Sequence, residues 1–415
     1  MEQDQNLPPV NARKRKMPET EDSDAFDGQG ILLDGLNQDL LERVLSWLPA
    51  SSFFRLRSVC KRWSSVAGSA TFRIACSRIP TRDPWFFMVD PHLNQSIVFD
   101  TTEGNWKNLN YPGLLQQDCN AKSIPVASSG GLVCFRTVSG DFIVCNPVTG
   151  TCRALSSAGF SVQNQTLHAI AMNSSSQDPS SYKLILVAGE FPHLSVKTFN
   201  SVKNQWEEDF MLSRKTDSKP EADISSDDTV YFLSKAGDVV STNMQRSPSK
   251  QYSSVITVEN GEEIIYFLSY SGTVVACNLA RKCFSEYPRL LPVFFEYSVD
   301  LVECNGEMLV VVLWEFLETA SLRVWKFSKN GRAWTHIAMM PPAMSHEFYG
   351  KKADINCIGC GNRMLICVSS GEFNSYIMCD VARNEWVKLP KCIINGEAKE
   401  FLSAFSFEPR IEACA

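Results

Sequence analysis

Residues 231–243 return thirty-five positions later as residues 266–278, without a gap and with eight of thirteen positions identical. Each copy reads as strand, glycine turn, strand, which is a hairpin. A second signature recurs along the chain: an apolar strand ends in Asp or Asn, and six residues later an aromatic or apolar residue opens another strand. The pairs are Asp100/Trp106, Asn146/Cys152, Asn200/Trp206, Asn278/Phe284 and Asp380/Trp386, with irregular versions at Asn243 and at Phe327/Trp334. Asp or Asn bonds its own following backbone and starts the turn, and the aromatic residue covers the neighbouring hairpin. One such unit leaves a face uncovered, so several must stack. A period of about 47 residues made of antiparallel strands fits the blades of a β-propeller and excludes helical solenoids. Hairpins near 85–100, 132–146, 183–200, 230–243, 264–278, 308–327 and 363–380 predict seven blades. The short step from the fourth to the fifth leaves six as the alternative. Residues 401–407 are expected to supply the strand that the first unit lacks, closing the ring and removing free sheet edges.

The β pattern fills only the region 80–410 of 415 residues. Residues 1–30 hold almost no large apolar side chains; a basic run (Arg13, Lys14, Arg15, Lys16) precedes a cluster of acidic residues. Such a segment cannot bury enough surface to offset its chain entropy and is expected to be disordered. Residues 411–415 are read as a short C-terminal tail. Between the N-terminal tail and the β region, residues 32–79 read as helical. Leu40, Leu41, Val44, Leu45 and Leu48 form one apolar stripe. Asn37 or Asp39 can cap its start, with Glu42 completing a capping box after Asp39, and Pro49 stops it. A second helix from Ser51 or Ser52 to Gly68 places Leu56, Val59, Cys60, Trp63 and Ala67 on one face, and a third covers 71–76. Three short helices make a very small core. Periodicity leaves two readings open: a bundle that covers itself, or a stripe that waits for a partner.

Composition excludes several function classes. The chain is 44% apolar and 21% charged, ordinary values for a protein with a sizeable core. Its longest nearly apolar run, 308–314, is too short to span a bilayer as a helix. No secretory signal follows Met1, so the expected location is the nucleus, the cytoplasm or both, and the fifteen cysteines are expected to be reduced thiols. A net charge of −6 argues against nucleic acid as the main partner. The five histidines lie far apart. Cys357 and Cys360 form a lone CxxC, read as a glycine turn with two buried thiols, since a zinc site needs a second pair. No catalytic residue, cofactor site or metal site is assigned, and the chain is expected to do no covalent chemistry itself.

The helical stretch, Leu36-Asn-Gln-Asp-Leu-Leu-Glu-Arg-Val-Leu-Ser-Trp-Leu-Pro49 followed by Phe54-Arg-Leu-Arg-Ser-Val-Cys-Lys-Arg-Trp63, resembles the F-box. Asn37 stands where the family usually has Pro. The β region, through Trp85-Phe-Phe-Met88, Ser128-Ser-Gly-Gly-Leu-Val-Cys-Phe135 and Val387-Lys-Leu-Pro390, is similar to the degenerate kelch propellers of plant F-box/kelch-repeat proteins. The resemblance implies an α module followed by an all-β kelch-type propeller. It also implies a non-catalytic receptor subunit of an SCF-type ubiquitin ligase, docked on a Skp-type adaptor and through it on a cullin and a RING subunit. It assigns adaptor contact to Leu36, Leu40, Leu41, Val44, Leu45, Leu48, Pro49, Val59, Cys60 and Trp63. A protein target is expected on the propeller face that gathers the turns between the two middle strands of each blade and the links between blades. Candidates there are Arg136, His193, Lys235, Tyr270, Phe316 and Phe373, with Phe294 and Phe295 and the link 341–349. The basic run at 13–16 reads as a nuclear import signal or as a solvated tail. A scaffold that binds the adaptor or a regulatory protein without turnover is the other class the residues allow.

Overall fold

The computed structural model describes residues 35–90, 92, 96–109, 123–156, 166–175, 178, 181–215, 231–233, 239–241, 250–269, 272–290, 297–316 and 318–415. Arg13, Lys14, Arg15, Lys16, Lys235, Tyr270, Phe294 and Phe295 lie outside the described residues.

Among the described residues, six four-stranded antiparallel blades carry the β region, each laid out from an inner to an outer strand; four are separate sheets, and blades III and IV are joined through their outer strands into one nine-stranded sheet that also takes in the short strand Gln205–Trp206. Blade I is Ser403–Phe407, Trp85–Val89, Ile97–Asp100 and Asn105–Asn108. Blade II is Ile124–Ser129, Leu132–Arg136, Phe142–Cys145 and Cys152–Ala154. Blade III is Leu167–Ser174, Tyr182–Glu190, His193–Asn200 and Phe210–Arg214, and blade IV is Ser254–Glu259, Glu262–Leu268, Val274–Asn278 and Cys283–Glu286. Blade V is Tyr297–Cys304, Glu307–Phe316, Thr319–Ser328 and Ala333–Met339, and blade VI is Asp354–Cys360, Arg363–Ser369, Asn374–Asp380 and Glu385–Lys388. The inner strands neighbour one another in that order, and the sixth touches the first. As expected, the C-terminal strand closes the ring, with Phe405 opposite Phe87 and Phe407 opposite Trp85.

The repeated signature has a concrete cause. In the turn that follows the third strand of blades I, II and III, Asp100, Asn146 and Asn200 each accept two following backbone N–H groups on one side-chain oxygen. Asn278 and Asp380 each accept one. The indoles then staple the ring: Trp106, Trp206 and Trp334 donate from Nε1 to the carbonyls of Pro390, Ser156 and Pro288, on links between blades.

Among the described residues the strands make six blades, the alternative that the short step from the fourth hairpin to the fifth left open. The hairpin Tyr231–Leu233 with Val239–Ser241 is a two-stranded sheet by itself. Blades III and IV leave no slot for it, because their inner strands touch and their outer strands pair in parallel, Ser213 with Cys283.

Between blades, inward side chains of both faces interdigitate; Leu309, Val311, Leu322 and Val324 of blade V meet Ile355, Met364, Ile366 and Ile377 of blade VI. Gly359 permits this approach, since a Cβ there would collide with the Glu303 carbonyl oxygen. Lys250 reaches the inner strands of three blades. Its Nζ donates to the Cys357 carbonyl at 2.8 Å, lies 3.8 Å from the Asp300 carboxylate and sits over the Phe405 ring.

Two cysteine readings change. Cys357 and Cys360 belong to one strand, where residues three apart point to opposite faces, and Cys360 is only half-buried. The turn begins after them. Cys145 and Cys152 are directly opposed in register with Cα atoms 4.1 Å apart and are joined as a disulfide, so that pair departs from the expected reduced thiols.

The helical module has four helices instead of three: α1 (Gln38–Ser46), α2 (Ala50–Leu56), α3 (Lys61–Val66) and α4 (Ala70–Ser77). The expected long second helix breaks between α2 and α3. There Ser58 and Val59 bond only three residues back, the Ser58 hydroxyl bonds Arg55 O, and Cys60 is fully extended. Asn37, not Asp39, caps α1, accepting from Leu40 N at 2.8 Å. Glu42 does not complete a capping box. It is buried, and its carboxylate accepts from Thr71 and Gln38, tying α1 to α4.

Candidate functional site

The apolar stripe of α1 divides into two faces. Leu41 and Leu45 point inward and, with Phe53, Trp63, Val66, Phe72 and Cys76, make the core of the module. Leu36, Leu48 and Cys60 are half-buried against that core. Leu40 and Val44 stand 48% exposed, Val59 66% and Trp47 70%, and Pro49 is exposed beside them. Leu40, Val44 and Trp47 fall at i, i+4 and i+7, which puts them on one side of α1. The residues expected at the adaptor thus separate physically: Leu40, Val44, Pro49 and Val59 offer surface, whereas Leu41, Leu45 and Trp63 hold the module together. Trp47 was missed by the reading of the stripe. Its spacing from Leu40 and Val44 was the available signal, hidden because it follows the last turn of the helix.

The module is seated on the ring. Ala50 and Phe54 of α2 pack with Trp85, Phe87, Val133, Phe135 and Val148 of blades I and II. Arg55 pairs with Glu103 at 2.7 Å. Arg82 turns back to donate to Ser46 O (3.0 Å) and Leu48 O (3.2 Å), satisfying carbonyls left open at the end of α1. Residues 411–415 are not a loose tail: Ile411 packs against both the module and the ring, and Glu412 and Ala413 are buried.

This seating fixes which face of the ring is free. Glu103 and Val148 lie in turns between the third and fourth strands of their blades. In an antiparallel sheet those turns are at the opposite end from the turns joining the second and third strands. The latter, among the described residues at 137–141, 190–193 and 370–373, therefore lie on the face away from the module, together with the described links between blades at 340–353 and 389–402.

On that far face the expected target residues differ in availability. His193 is exposed beside the Phe191–Pro192 turn. Arg136 is half-buried; its guanidinium lies 5.0 Å over the Tyr252 ring and donates to the Tyr252 hydroxyl at 2.8 Å, so it is already engaged within the ring. Phe373 stacks on Phe348 at 5.7 Å with Lys351 Nζ 4.5 Å above it. Phe316 ends the second strand of blade V. The link 341–349 holds a turn of helix, Pro342–Ser345, and leaves Tyr349 40% exposed and parallel to His346. Val138, 79% exposed in the turn of blade II, was not singled out; an apolar residue inside a Ser/Gly turn was the signal for it.

Among the described residues, no group of three or more His, Cys, Asp or Glu is placed to hold a metal ion. Burial pushes the thiols of Cys76, Cys367 and Cys379 up to about 12. His168 is spent structurally, packed between Phe191 and Phe267 with Nε2 donating to Gly189 O.

Comparison with known proteins agrees with this architecture. Residues 33–74 match the F-box domain, and residues 98–352 match the KIB1-4 beta-propeller, a description other than kelch. The chain is 52% identical to F-box only protein 13 of Arabidopsis thaliana over 97% of this chain and 90% of that protein. It is 26% identical to F-box only protein 6 of the same plant over 86% of this chain and 69% of that one. To Protein UNUSUAL FLORAL ORGANS, also from Arabidopsis thaliana, the identity is 22% over 92% and 86%. The F-box implies binding to a Skp-type adaptor. A chain that seats an F-box on one face of a ring of β-sheets, and aligns with such relatives over nearly its whole length, belongs to the plant F-box proteins that carry a KIB1-4-type β-propeller.

Proposed function

We propose that this chain is the substrate-recognition subunit of an SCF-type ubiquitin ligase. The F-box docks on the Skp-type adaptor, and through it on a cullin and a RING subunit, while the far face of the propeller holds a target protein. The observation that carries the reading is the exposed strip Leu40, Val44, Trp47 and Val59 on a module whose own core is already complete. Covering one aliphatic side chain contributes about 1.5–3 kcal/mol. Several covered together exceed an association cost of about 4–15 kcal/mol only when most are desolvated at once. Leu40, Val44 and Trp47, on one side of one helix, are placed to be covered together. The chain needs no reactive group of its own: it holds an acceptor lysine and a charged conjugating enzyme at high mutual concentration.

The test compares the intact chain with Leu40→Glu/Val44→Glu, in cells with and without proteasome inhibition. Proteins labelled by proximity to the propeller are identified, and their half-lives are measured. Targets shortened in half-life by the intact chain and not by the variant support a receptor. Targets bound equally by both, with half-lives that neither changes, refute it in favour of a scaffold that binds without turnover.

A further inference from the structure

Module and ring are joined covalently only by the extended segment around residues 79–84, whose prolines give it no ladder of its own. The last residues of the chain lie across that joint. Arg410, 11% exposed at its side chain, donates to Ile79 O at 3.1 Å and Pro80 O at 2.9 Å, and is itself held by Glu408 and Glu412. The Glu408 carboxylate accepts the Arg82 backbone N–H, and Arg82 in turn grips the carbonyls closing α1, the helix that carries the docking strip. On the other side, Asn146 of blade II donates to both Arg410 O and Ala413 O at 2.8 Å, and Glu408 N–H bonds Gly130 O. Gly131 lets the strap lie flat, since a Cβ there would clash with Ala413 and Arg410. Ile411 enters the apolar clusters of both bodies.

We propose that residues 408–413 are a strap that locks the joint between F-box and propeller, holding the adaptor-docking helix at one angle to the target face. Charged groups this buried are bound to partners on three elements, so the strap acts as one unit. Its consequence, which rests on the receptor reading above, is selection: a fixed angle brings one set of lysines within reach of the conjugating enzyme. Arg410 is the positioning residue.

Spin labels on introduced non-natural residues at Ser64 in α3 and Val138 on the far face read the angle directly in the full chain. The wild type should give one narrow distance; Arg410→Gln, and a chain shortened after Phe407, should lose it for a broad distribution while the strands keep their circular dichroism. A distance equally narrow in both variants overturns the strap. Hydrogen exchange on the unaltered protein gives an answer even when a variant does not fold. The Arg82 amide should exchange as slowly as the strands of blade I, and exchange at the rate of an open linker overturns the proposal. With purified adaptor, cullin and RING subunits, the sites of self-ubiquitination should spread in Arg410→Gln at unchanged adaptor affinity. An unaltered site pattern overturns the selection claim. Failure of the wild type to bind adaptor instead sinks the receptor reading and leaves the distance result standing.

Discussion

Trp47 and Leu41 lie six residues apart in the helical module, yet their removal should have opposite consequences. A tryptophan side chain presents about 150–250 Å². With Trp47 70% exposed, ~100–170 Å² is left for a partner to cover. At ~25 cal/mol per Å² that is ~3–4 kcal/mol, and about 2–3 kcal/mol after allowing for what alanine retains. Trp47→Ala should therefore weaken adaptor binding about 30- to 150-fold. The free chain should keep its stability within about 0.5 kcal/mol, since most of the Trp47 side chain lies in solvent. Leu41 is fully buried in the module core. Leu41→Ala should cost about 2–5 kcal/mol of module stability, because the surrounding side chains collapse only partly into the space left. Its loss of adaptor binding should track the unfolded fraction and recover on cooling toward maximum stability. Titration calorimetry against a recombinant Skp-type adaptor, with thermal melts of the same samples, separates the two. Wild-type affinity in Trp47→Ala at an unchanged melt would refute the division of the stripe into an outward and an inward face.

Other consequences follow from the ring. Lys250→Met leaves the Asp300 carboxylate buried beside an apolar side chain and should destabilise the propeller by about 3–5 kcal/mol; Lys250→Met/Asp300→Asn should recover part of the lost melting temperature. Burial pushes Cys367 and Cys379 up to about 12 and Cys392 up to about 11, so a maleimide at neutral pH should label exposed Cys414 and reach those three only on unfolding, as peptide mapping would show. The Lys107 hydrogen bond foremost holds the Glu103 carboxyl down at about 2, against an ordinary value of 4.5. A depressed value stabilises the fold above the ordinary one and is lost as pH falls toward the depressed one. The difference in melting temperature between wild type and Glu103→Gln should therefore hold steady above pH 4.5 and shrink between about 4.5 and 2.

Much of this molecule was legible from local chemistry. The Asp and Asn turn-starters and the tryptophans that follow them are short-range devices, and they marked the hairpins of six blades, though they also marked 230–243, which stands as a two-stranded sheet by itself. What escaped depends on packing between distant segments. Six and seven blades differ by whether blades III and IV touch, and no residue within the hairpin 231–243 encodes that. The stripe on α1 was visible as a stripe, but periodicity does not say which of two adjacent leucines finds Phe53 and Trp63 behind it. The break of the second helix turned on a serine bonding back to Arg55 O, a competition that an apolar count passes over. The strap was least visible of all: Arg410 lies some 330 positions from the carbonyls it grips, and residues 411–415 look like any short tail.

The account rests most heavily on an outward apolar strip that another protein covers. Mixing the purified full-length chain with a recombinant Skp-type adaptor and following hydrogen exchange in both tests that directly. The account predicts a one-to-one complex in which protection on this chain grows along α1 and the α2–α3 turn, around Leu40, Val44, Trp47 and Val59, and leaves the far face of the propeller unchanged. No complex, or one whose protection falls on the propeller alone, would contradict it.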